Sequence, residues 1–122
     1  MKNIIVAFLL LFIVNCEPAA KPIENNTINS TATLEQKLDK NPFLVDVRTP
    51  AEFAQGSVKG AVNIPLEDLQ ARISEFKGKE NIITFCRTGH RSGQAIEILK
   101  ENGITDVTNG TNAENIEALN NK

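Results

Sequence analysis

"NIITFCRTGHRSGQAIEILKENG", residues 81–103, decides the fold. Its first part, Ile82-Ile83-Thr84-Phe85, is a short continuous apolar run, the pattern of a strand buried on both faces. Its last part places Ala95, Ile96 and Leu99 at helical spacing, with Gly103 as the C-terminal stop. Between them lies Cys86-Arg87-Thr88-Gly89-His90-Arg91-Ser92, which holds the only histidine of the chain. The same alternation extends outward. Thr33 to Gln36 has capping-box spacing, and Leu34 and Leu38 then share a helix face that Asn41-Pro42 breaks. Residues 43–47, "FLVDV", read as a second buried strand, and Pro50 opens a brief helix ended by Gly56. Residues 61–65, "AVNIP", read as a short strand or an extended crossover. Leu66, Leu69, Ile73 and Phe76 then predict an amphipathic helix. "ITDVTN" predicts a last strand and "AENIEALN" a last helix. Short apolar strands alternating with helices predict an α/β domain with a parallel sheet covered on both faces. In such sheets ligands bind beyond the carboxyl ends of strands. Cys86 and the group Asp46-Val47-Arg48 occupy two such ends, and the pattern makes them neighbours.

The rest of the chain bounds this reading. Its 122 residues suit one small domain, and 13 Lys+Arg against 15 Asp+Glu leave no basic footprint for nucleic acid. With neither Trp nor Tyr, the core rests on Ile, Leu, Val, Ala and six Phe. Lys2 followed by an apolar run from Ile4 to Val14 predicts an export signal. As a helix that run spans only about 16 Å, roughly half a hydrocarbon core. "IVNC" resembles a bacterial lipobox, in which cleavage leaves Cys16 as the lipidated first residue, although Asn15 replaces the usual small residue. The other reading is a plain signal peptide cleaved near Ala19 or Ala20. The expected layout is a signal peptide over 1–16, a Pro- and Asn-containing flexible linker over 17–32 and a domain over 33–120. The expected location is exported, periplasmic or lipid-anchored at a bacterial membrane. Once Cys16 is lipidated or removed, Cys86 has no internal disulfide partner.

A loop that wraps into a cradle turns its amides inward. The start of the following helix adds donors and a partial positive charge. Arg87 and Arg91 add full charges, and Gly89 permits the tight turn. Such a setting favours thiolate and lowers a cysteine from about 8.5 to between about 3.5 and 7.5. Without the loop, Cys86 would read as a small buried hydrophobe. His90 reads as a donor of its backbone amide, since a thiolate needs no separate base. One His and one Cys do not fill a zinc site, so neither metal nor cofactor is expected. Arg48 reads as the partner of an acidic neighbour rather than a substrate contact.

Four elements carry a family resemblance: Asp46-Val47-Arg48, Pro50-x-Glu52-Phe53, Gly60-Ala61-x-Asn63-Ile64-Pro65, and the Cys86 loop with Arg91 and Ser92. In this order and spacing they resemble a single-domain rhodanese, a sulfurtransferase, over about 34–119, similar to the exported phage-shock type. Two features depart from the family. Ser57 stands where a histidine is frequent, and the C-terminal end keeps Gly110 but lacks the usual Gly-Gly pair and aromatic. The resemblance implies that Cys86 is the catalytic nucleophile, attacking the sulfane sulfur of a small anionic donor such as thiosulfate. The resulting persulfide would pass its outer sulfur to cyanide or a thiol. It implies donor binding by Arg87, Thr88, Gly89, His90, Arg91 and Ser92, support from Asp46 and Arg48, and a monomer. Arg91 has a second reading, as a structural partner of Asp46.

Competing functions use the same loop. Cysteine phosphatases place five residues between Cys and Arg, whereas four separate Cys86 from Arg91 here, and Ser92 stands at the phosphatase arginine's position. A non-enzymatic persulfide carrier, or a redox or binding module of the same fold, is the nearer alternative.

Overall fold

The computed structural model describes residues 32–122. The signal segment, Cys16 and the linker up to residue 31 lie outside the described residues. Four parallel strands form one sheet in the order β2-β1-β3-β4. They are β1 (Phe43–Asp46), β2 (Val62–Asn63), β3 (Ile82–Cys86) and β4 (Val107–Asn112), and the helices are α1 (Leu34–Leu38), α2 (Pro50–Ala54), α3 (His90–Glu101) and α4 (Ala113–Asn120).

Local chemistry accounts for these boundaries. Thr33 and Gln36 close the capping box of α1, and Thr49 and Glu52 close a second box at α2, with Pro50 in its first turn. The helix α3 ends through Gly103 at φ +80°, and the Ile104 amide bonds back to the Leu99 carbonyl at 2.9 Å.

Strand β3 is buried along its whole length and separates two apolar layers. Ile82 and Cys86 face one layer with Val45, Leu69, Ile73, Phe76, Ala95 and Leu99. Ile83 and Phe85 face the other, with Leu38, Leu44, Val58 and Ile116. Alternation along a strand thus serves both faces of the sheet.

One predicted helix differs. Residues 66–76 fold as two 3-10 segments, Leu66–Asp68 and Gln70–Glu75, with Arg72 leaving helical geometry at φ −111°, ψ 19°. Leu69, Ile73 and Phe76 are nonetheless buried. Spacings of three and four residues suit either helix type over so short a run, and the kink lets each anchor reach the sheet.

Candidate active site

The carboxyl ends of β1 and β3 lie side by side, with Asp46 opposite Phe85. Cys86 ends β3 and is a free thiol, 2% exposed. Chain reversal at Gly89, φ +92°, starts α3 directly above the sulfur. The amides of Gly89 and Ser92 donate to Sγ at 3.1 and 3.4 Å, and Ser92 Oγ lies 3.5 Å away. Burial pushes the thiol up. Hydrogen bonds from the Ser92 side chain and from the backbone of Ser92, Thr88 and Gly89 outweigh it and bring Cys86 down to about 7.

Not every loop residue points at the sulfur. Arg87 and Thr88 are exposed. The His90 amide donates to Thr88 Oγ1 at 3.4 Å, so the sulfur is held by fewer amides than a full cradle from Arg87 to Ser92 would supply. Arg91 does not pair with Asp46. Its guanidinium grips Glu52 through Nη1–Oε1 at 2.7 Å and Nη2–Oε2 at 3.0 Å. The capping box at α2 orients this acceptor, because Thr49 Oγ1 also donates to Glu52 Oε1 at 3.2 Å. Arg91, and secondarily Thr49, hold the Glu52 carboxyl down at about 2.

Asp46 is fully buried and takes Arg48 instead. It accepts from Arg48 Nη2 at 2.7 Å, from the Arg48 amide at 2.9 Å and from Ser57 Oγ at 2.8 Å. Ser57 therefore completes the shell of a buried carboxylate. Asn63 donates to the carbonyls of Asp46 and Arg48 at 3.0 and 2.9 Å, fastening the β1 end to β2.

A cavity of about 190 Å³ opens over the thiol, lined by Arg48, Cys86, Arg87, Asn112, Ala113 and Glu114. Among the described residues Arg48 and Arg91 are bound to carboxylates and Arg87 is not. The start of α4 supplies one wall, from the same C-terminal stretch whose pattern departs from the family. A β-bulge brings it there: Thr84 pairs with Asn109, but Phe85 pairs with Thr111, so Gly110 is the extra residue. A Cβ at Gly110 would come within 2.9 Å of Ile83 and Ile116 side chains. The left-handed position falls instead on Thr111, at φ 71°. Glu52, Ser57 and Asn63 were visible in or near the motifs, and the Thr49–Glu52 box could have singled out Glu52. Asn109 and Glu114 carry no local signal, since the bulge brings them to the loop.

Comparison with known proteins supplies the family. The rhodanese-like domain family matches residues 30–112. A sulfurtransferase of Allochromatium vinosum is 36% identical over 85 residues, covering 69% of this chain and 79% of that one. Thiosulfate sulfurtransferase PspE of Escherichia coli is 43% identical over 67 residues, covering 53% and 64%. A putative sulfur carrier protein of Bacillus subtilis, YrkF, is 32% identical over 82 residues, covering 66% and 44%. Among solved structures, a rhodanese with anions from E. coli superposes with a TM-score of 0.55 at 36% identity, covering 61% of this chain and 89% of that chain.

Proposed function

The chain belongs to the rhodanese-like domain family of sulfurtransferases, and from that premise we propose that it moves sulfane sulfur through a persulfide on Cys86. The carrying observation is the sulfur itself: a thiol brought to about 7, at the base of a cavity of about 190 Å³. Near neutral pH about half of such a thiol is thiolate. In the first step Cys86 Sγ attacks the outer sulfur of thiosulfate, the S–S bond breaks, and sulfite leaves with its electron pair. Cys86 then carries the transferred sulfur as a persulfide. In the second step cyanide or a thiolate attacks the outer sulfur and Cys86 leaves as thiolate. The Gly89 and Ser92 amides, 3.1 and 3.4 Å from Sγ, are placed to stabilise that anion at the start and end of the cycle. Arg87 supplies the cation for the donor, while Arg91 acts through Glu52 to hold the loop.

The test is intact mass after exposure to thiosulfate. A gain of one sulfur atom, absent in Cys86→Ser and removed by cyanide, is expected. Unchanged mass overturns the proposal. A carrier function is the second reading, favoured by the likeness to a putative sulfur carrier protein. Faster discharge of the loaded protein to a protein thiol than to cyanide would select it. Export and lipidation at Cys16 are part of the proposal, checked by the mass of the amino-terminal peptide from cells.

A further inference from the structure

We infer that Asn109 is a positioning residue that tunes Cys86 by competing with its sulfur for the single hydroxyl hydrogen of Ser92. The inference rests on the reading that Cys86 reacts as thiolate. Ser92 is fully buried, and its Oγ lies 2.7 Å from Asn109 Oδ1 and 3.5 Å from Cys86 Sγ. The amide of Asn109 has one allowed orientation. Its Oδ1 accepts from the Thr111 N–H at 2.9 Å and its Nδ2 donates to the Gly89 carbonyl at 3.0 Å, so a flip would set donor against donor and acceptor against acceptor. Ser92 therefore faces two acceptors with one hydrogen.

The two protonation states use that hydrogen differently. In the thiol state Sγ–H donates to Ser92 Oγ, and Ser92 donates to Asn109, so every group is satisfied. In the thiolate state the sulfur has no hydrogen to give, and the Ser92 hydroxyl turns to it. Asn109 Oδ1 then keeps only Thr111. Ionisation thus costs the short Ser92–Asn109 bond, and Asn109 holds the thiol in reserve against the amides of Gly89 and Ser92. The charged groups around the sulfur are separate from this chain of bonds. They are Asp46 and Arg48 at the end of β1, Arg87 in the loop, Arg91 of α3 held by Glu52 of α2, and Glu114 of α4. All stay in place in the variants below.

The experiment is the pH dependence of Cys86 alkylation by iodoacetamide in wild type, Asn109→Ala, Ser92→Ala and the double variant. Asn109→Ala is expected to lower the midpoint by about half a pH unit, roughly threefold more thiolate on the acid side. Ser92→Ala is expected to raise it, and adding Asn109→Ala to Ser92→Ala to change nothing further. Asn109→Asp, isosteric but a stronger acceptor, is expected to raise the midpoint in the presence of Ser92 and less in its absence. A midpoint unmoved or raised by Asn109→Ala overturns the inference, as does a shift equally large without Ser92. If Asn109→Ala does not fold, an Asn109→Asp shift indifferent to Ser92 overturns it. Alkylation needs no sulfur donor, so these outcomes are independent of the persulfide test.

Discussion

A thiol with 2% exposure would ordinarily resist ionisation, yet hydrogen bonds from Thr88, Gly89 and Ser92 reverse that at Cys86. Its alkylation and its loading by thiosulfate should both rise with pH through a midpoint of about 7, because the folded state depresses the thiol from 9.0. A midpoint above 8 in a stopped-flow alkylation series contradicts this. The division of labour between the arginines is also testable. Arg87 has no carboxylate partner among the described residues, so Arg87→Ala should raise KM for thiosulfate about tenfold, the worth of one charged hydrogen bond. Arg91 is occupied by Glu52, so Arg91→Ala should lower the melting temperature and move that KM less. Steady-state kinetics on both variants decide it; a larger KM effect at Arg91 reverses the assignment. Residue types and spacing made Cys86 and its arginines legible in the sequence. The partner of Arg91 was not legible, because Asp46 and Glu52 are both acidic and close in sequence, and only the path of the chain chooses between them.

At the scale of elements, the bulge in β4 carries the departure from the family pattern. Thr111 is β-branched and left-handed, a conformation that costs on the order of 1–2 kcal/mol outside glycine. Thr111→Gly should therefore stabilise the fold by about 1 kcal/mol, read as a higher denaturant midpoint. An unchanged or lower midpoint argues that the threonine side chain offsets its strain by packing. Gly110→Ala should act oppositely, losing about 1–3 kcal/mol, since the added methyl meets Ile83 and Ile116 at 2.9 Å. Helix starts and stops were legible here wherever a local signal ends the helix, the side-chain cap at Thr33 or the left-handed glycine at Gly103. The 3-10 form of residues 66–75 was not, because tertiary anchoring of Leu69, Ile73 and Phe76 selects the winding.

Across the whole molecule the sheet divides the apolar interior into two layers, with Ile82 in one and Ile116 in the other. Ile82→Val and Ile116→Val should each cost about 1 kcal/mol and add to within about 0.5 kcal/mol in the double variant. Strong coupling in chemical denaturation would show that the layers deform together. The sequence by itself determined the α/β class, the parallel sheet and the cysteine loop at a strand end. These follow from periodicity, caps and a four-residue spacing, all local to the chain. Only the tertiary structure decided that Arg91 answers Glu52, that Ser57 completes Asp46, and that Asn109 and Glu114 reach the thiol's surroundings. Those contacts join residues separated by up to 39 positions, and a strand register with one extra residue sets which side chains meet.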